Sequence, residues 1–287
     1  MKRIVLAGTA AVVGVGLLFG PFVAKAPVGS MASAAESGPD APVVASLARL
    51  EDGLTWGMTH LDVIKVYNSV GGLFDREYDP LLARTQPGVQ MSALEADREN
   101  RKTAFAGSFV EFGDTPTGYD ATGVKDEYTY RNHESVMSVD KDGKRRFLFF
   151  MGAPSSERLW KIYDEVPLKV GGPFGASYAE AVAKLQGLVG AAPRVVTPLP
   201  GGPMRLRTSD WQDPGTHLRA DDRTLDGVVG IVLEDKRTLS ALPQLRSVKQ
   251  DDPMALDPSI AAITRGSISD PSAGHARPDA GAPKKRR

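Results

Sequence analysis

The sequence predicts an α+β protein of two tandem small modules, each a capped helix packed on an antiparallel β-meander. Three observations predict it. A glycine-bounded, capped helix pattern at Gly53–Gly72 recurs without a gap at Gly171–Gly190, a shift of 118 residues. Short apolar runs with two-residue alternation are separated by turn dipeptides. The composition, 41% hydrophobic and 24% charged over 287 residues, is that of a chain able to bury a core.

The recurrence has a physical content. Thr59 and Ser177 are N-cap residues, whose hydroxyl accepts an otherwise unpaired backbone N–H. Asp62 and Glu180 follow three residues later, as in a capping box. Val63, Tyr67 and Val70 keep helical spacing, as do Ala181, Leu185 and Leu188. Gly71–Gly72 and Gly190 are the expected helix stops. Trp56 falls on Phe174 and Gly57 on Gly175. Past the helix, Arg76 falls on Arg194, Pro80 on Pro198 and Leu81 on Leu199. A shift of this length implies two copies of a small domain, not a solenoid, whose units are about 20–50 residues.

In chain order, Lys2–Arg3 precede an uncharged apolar run from Ile4 to Gly20. Ala32-Ser33-Ala34 then forms a small-residue cleavage pattern. Residues 1–34 therefore read as a signal peptide or, given the length of the run, an uncleaved membrane anchor. Either places the folded part outside the inner membrane, because the positive end stays inside. Residues 35–46 read as a linker. The first module spans 47–168, opening on a strand at Leu47–Leu54, with the helix at Thr59–Val70 and another helix within Gln90–Phe105. Strands are expected near Gly107–Phe112, Tyr128–Val139, Phe147–Met151 and Leu159–Val166. Asp140-Lys-Asp-Gly143 is a hairpin turn.

The second module, 169–241, carries the helix Ser177–Val189. Its strands are Arg194–Thr197, Met204–Ser209, Thr216–Ala220 and Val228–Leu233. From residue 242 the periodicity fades, and 242–287 reads as a disordered tail. An insertion near 85–124 distinguishes the first module from the second. Such insertions are either a tolerated surface elaboration or the place where a specific role is added.

The pattern Gly57-Met58-Thr59, Val63 and Gly72, repeated by Gly175, Ser177 and Gly190 and followed by a meander, resembles two groups of small exported modules. These are the tandem-repeat β-lactamase inhibitor proteins and the outer-membrane assembly lipoproteins of the SmpA or BamE type. The match covers about 30 residues per copy, and the chain lacks the cysteines of both groups. The resemblance implies a helix packed on an antiparallel sheet and a non-catalytic binding role.

The chemistry-bearing residues narrow the function further. The chain has no cysteine, which excludes disulfides, thiol catalysis and cysteine metal sites. Formal charge is zero, so no nucleic-acid partner is expected. The four histidines, His60, His133, His217 and His275, have no zinc-binding spacing. The run from Asp222 to Gly227 lacks the calcium ligands that its start calls for. No metal or cofactor is expected.

Strand alternation puts Met204, Leu206, Leu218 and Ala220 on an apolar face. It puts Arg205, Arg207, His217 and Arg219 on the other. Aligning Gly143 with Gly227 sets His133 on His217. These five residues are the candidate binding set, either a solvated polar face or a basic patch for an acidic protein surface or an anionic envelope polymer. The functional expectation is an exported, non-catalytic binding or envelope-assembly protein. The alternative is a periplasmic hydrolase using residues such as His133, Glu134 and Asp126.

Overall fold

A computed structural model describes residues 40–198, 206–248 and 250. The expected leader 1–34 and its cleavage site, the start of the linker, Met204, Arg205 and nearly all of the expected tail beyond residue 248 lie outside the described residues.

The element order is α1 (His60–Asn68), α2 (Leu73–Leu82), α3 (Val89–Ala106), β1 (Val110–Glu111), β2 (Glu134–Lys141), β3 (Lys144–Met151), β4 (Arg158–Pro167), α4 (Tyr178–Val189), β5 (Arg194–Val196), β6 (Thr208–Gln212), β7 (Thr216–Arg223), β8 (Val228–Asp235) and α5 (Lys236–Leu245). The protein is α+β, and the eight strands form one antiparallel sheet in the order β1-β2-β3-β4-β8-β7-β6-β5. Three further strands lie on each side of the central β4–β8 pair, so that four consecutive strands, β1–β4 and β5–β8, make up each half. That pair runs in register from Lys161↔Glu234 to Pro167↔Val228.

Local chemistry sets the helix starts as expected. The Thr59 side chain accepts from the Asp62 N–H while Asp62 answers to the Thr59 N–H, a complete capping box. The Ser177 hydroxyl accepts from the Glu180 N–H, but the Glu180 carboxylate turns instead to the Ala176 N–H. The Lys141–Lys144 pair closes a two-residue hairpin, with Asp142 and Gly143 both left-handed at φ 54° and 73°.

One sheet face packs under α1, α2, α3 and α4. Val63, Tyr67, Phe74, Phe105, Ala181 and Leu185 meet Met137, Leu148, Ile162, Trp211, Leu218 and Ile231 there in one apolar core. The opposite face holds a second, aromatic core of Phe112, Tyr128, Phe147, Phe149, Trp160 and Tyr163. A strap of residues 112–130 covers it, with Leu239 and Leu242 of α5.

Several expectations change. Leu47–Leu54 is not a strand: Ala48–Leu50 is a 3-10 turn, and Leu47 and Leu54 are buried as single anchors. Val70 is 99% exposed because α1 ends at Asn68; a Val-Gly turn follows. Gly72 caps the start of α2, a helix that the helical spacing of Val63, Tyr67 and Val70 did not announce. Arg76 therefore lies in α2 while Arg194 lies in β5, so the sequence agreement past the first helix joins unlike structures. The strand expected at Met204–Ser209 begins at Thr208.

Part of the expected linker is packed. Gln212 bonds to Pro42 and Val44, and Ala41 and Val44 are buried. The expected tail begins within α5, which continues through Pro243 to Leu245. Beyond it, Arg246 and Val248 bond to Glu134 and Asn132. Among the described residues no helix is long and apolar enough to cross a membrane.

Candidate functional site

Alternation in β7 sends Leu218 and Ala220 to the helix face and His217 and Arg219 to the strap face, as expected. What meets them there is not solvent alone. His217 lies between two carboxylates, with Nδ1 3.0 Å from Glu234 Oε2 and Nε2 3.4 Å from Asp210 Oδ2. Burial works against its charge, but the hydrogen bonds to Asp210 and Glu234 outweigh it and push the pKa up to about 9. Arg219 Nη2 donates to both oxygens of Glu127, at 2.6 Å each. Lys161 Nζ reaches the same carboxylate at 2.8 Å.

A β-bulge brings Lys161 to this face beside Trp160: Phe149 pairs with Lys161 and Phe150 with Leu159, so Trp160 is the extra residue. Lys161 then sits 4.5 Å from the Trp160 ring centroid and 4.7 Å from that of Phe149. Burial raises the pKa of Glu234, yet Arg219, His217 and Lys161 bring it down to about 2. Burial lifts Asp221 to about 6 against the pull of Arg219.

This arrangement corrects the expected solvent-facing basic patch. His217 and Arg219 are partners in a largely buried lattice with Glu127, Asp210, Asp221 and Glu234. Arg207 stands apart: it is exposed, and its guanidinium lies 5.4 Å from the ring of Tyr178, a residue of the helix-side core. Arg205 lies outside the described residues. His133, just before β2, is four strand positions from β7, about 19 Å at the usual spacing. Gly143 turns β2 into β3, whereas Gly227 turns β7 into β8, which is why aligning them did not bring the two histidines together.

Sequence reading missed Lys161, Glu127, Asp210 and Glu234. The available signal was a charge inside an otherwise apolar strand, as in Leu159-Trp-Lys-Ile-Tyr163. Such a charge is tolerated there only when paired.

His133 instead lines a cleft of about 250 Å³, where β1 and the start of β2 meet the β3–β4 loop. Phe109 and Phe112 supply apolar wall, and Glu111, Asp114, Arg131 and Glu157 supply charge. The backbone around it is strained. Arg131 and His133 at its margin and Ser155 in the β3–β4 loop are left-handed, with φ of 62°, 56° and 67°. Each such residue costs of order 1–3 kcal/mol and is kept only where its surroundings impose it. Gly152, at φ 128°, holds a conformation that a side chain would strain, and a Cβ there would crowd the Ser156 carbonyl at 3.0 Å.

Compared with known proteins, the chain matches no family model, no curated protein and no solved structure. The geometry therefore carries the functional argument alone.

The trio His133, Glu134 and Asp126 is not gathered. Glu134 also borders the cleft, but its carboxylate is engaged by Arg246 at 2.9 Å to each oxygen and by Thr129. Asp126 is an exposed strap residue. A different histidine approaches the cleft from behind: His60 stacks on Phe109 with ring centroids 4.2 Å apart, and its Nδ1 bonds to Glu157. Glu157 is 2% exposed, and its other oxygen, Oε2, has no hydrogen-bond partner among the described residues.

Proposed function

We propose that this chain is an exported binding protein without chemistry of its own, whose interface is the end of the sheet that carries the cleft. The observation that carries the reading is the cleft: aromatic wall, several charged groups and costly backbone conformations meet at one accessible place. Binding sites combine apolar wall with a few convergent polar groups in this way. The lattice around His217, by contrast, pairs its cations with its own carboxylates, although Arg219 Nε and Asp221 Oδ1 keep no hydrogen-bond partner among the described residues.

We further propose that the scaffold is two copies of one module. The support is the sheet order, in which β1–β4 and β5–β8 meet through the β4–β8 pair. Tyr67 of α1 and Leu185 of α4, 118 residues apart, are both wholly buried in one core on the same face. Counted by strands, the β2–β3 turn at Gly143 corresponds to the β6–β7 turn at Gly215. In this register α2, α3 and the strap are additions of the first copy, and the cleft is built beside them. Export rests on Lys2–Arg3, the apolar run and Ala32-Ser33-Ala34. Fractionation of cells would contradict it by finding a cytoplasmic pool with Met1 intact.

The binding reading is tested with a photo-crosslinking residue at Asp114, on the cleft lip. The control sits at Leu225, a fully exposed residue near the opposite end of β4 and β8. Discrete adducts from position 114 that are lost when His133 is also replaced by Ala, with none from 225, support the interface. Equal adducts from both positions, or none from 114, reject it.

A further inference from the structure

We infer that the cleft takes a cationic group on an apolar stem, an ammonium or a guanidinium, with its charge directed to Glu157 and its stem along Phe109 and Phe112. The inference rests on the binding reading above and names the ligand class for that site.

Three observations carry it. The first is charge. With Glu134 paired to Arg246, the carboxylates of Glu111, Asp114 and Glu157 outnumber the guanidinium of Arg131 even when His60, the partner of Glu157, is counted as a cation. The second is the state of Glu157. Burial raises its pKa, but hydrogen bonds from the His60 side chain and backbone hold it net below the usual carboxylate range, so it is ionised at neutral pH. Its Oε1 takes both the ring and the backbone N–H of His60, while Oε2 has no donor among the described residues. An ionised, buried carboxylate without a full set of donors is costly, and a cation in the adjoining cleft supplies a countercharge. The third is the wall. Phe112 is stacked on Tyr128 at 3.7 Å between centroids, and Phe109 is pinned between His60 and Phe150. Fixed aromatic rings next to carboxylates favour cations over neutral or anionic groups.

Two sources share this chemistry: a lysine or arginine side chain of a partner protein, and a free polyamine. The test titrates the purified chain with N-acetyl-lysine methylamide, N-acetyl-arginine methylamide, spermidine, the neutral isostere N-acetyl-norleucine methylamide and N-acetyl-glutamate methylamide. The ring resonances of His60 and His133 report on the cleft.

The expected result is saturable shifts with the lysine or arginine compound or with spermidine. Glu157→Gln should weaken them about tenfold, the effect of losing one nearby countercharge. Glu111→Gln/Asp114→Asn, at exposed positions that leave the fold intact, should also weaken them. Tighter binding of spermidine assigns the free amine, and tighter binding of an amide compound assigns the protein side chain. Equal or stronger binding of the norleucine or glutamate compound overturns the ligand class while leaving a binding cleft. Binding insensitive to both the Glu157 and the lip variants, or no shift with any compound, overturns the inference. The crosslinking experiment judges the binding reading separately.

Discussion

The His217 imidazolium makes stability depend on pH in a window where few other groups titrate. Both ring nitrogens face carboxylates, so both must carry protons for the two contacts to be favourable. Its folded pKa is about 9 against an ordinary 6.5. Because the folded value is raised, the stabilisation is present in full below pH 6.5 and is lost as pH rises through about 9. At 1.36 kcal/mol per pH unit of difference, the whole effect is about 3 kcal/mol, and about half is gone near pH 8. The imidazole is mostly buried, its side chain 20% exposed, so solvent screening removes little of this.

The assay is urea unfolding at intervals from pH 6 to 9.5, for the native chain and for His217→Gln. With a slope of about 2 kcal/mol per molar, typical of this size, the native midpoint should fall by about 1–2 M across the window. The variant should start lower and stay flat, so that the two curves converge above pH 9. A native midpoint that does not move, or a variant that loses as much as the native chain, would falsify the pairing of His217 with Glu234 and Asp210.

Other outcomes follow from the packing. Leu185→Ala empties a wholly buried position under α4 and should cost about 2–5 kcal/mol in the same unfolding assay. Gly230→Ala places a Cβ 2.5 Å from the Tyr163 hydroxyl, which crosses β8 there, and should cost about 1–3 kcal/mol. Glu127→Gln leaves Arg219 and Lys161 without their shared carboxylate and should cost about 3–5 kcal/mol, with loss of strap protection in hydrogen exchange. Arg207→Ser, at an exposed position, should change the unfolding free energy by no more than about 0.5 kcal/mol.

How much of this was legible in the sequence depended on the range of the interaction. Thr59 with Asp62, Ser177 with Glu180, and Asp142-Gly143 act over two to four residues. The starts of α1 and α4 and the β2–β3 hairpin could therefore be read directly. Two-residue alternation likewise sorted Leu218 and Ala220 from His217 and Arg219, because pleating alone fixes which face a side chain takes. The cysteine-free composition is also a property of the sequence alone.

Tertiary structure decided what each face meets. Nothing near Arg219 in sequence announces that Glu127, 92 residues away, will cover it. The same holds for Asp210 and Glu234 closing on His217 from the two neighbouring strands. The joining of two four-stranded halves through β4 and β8 is another contact between distant segments, so the sheet became one where local patterns described two. The cleft arises in the same way, from β1, the start of β2 and the β3–β4 loop. Capping, turns and pleating are short-range and written in neighbouring residues. Charge compensation, sheet order and cavities belong to residues that are neighbours only after the chain has folded.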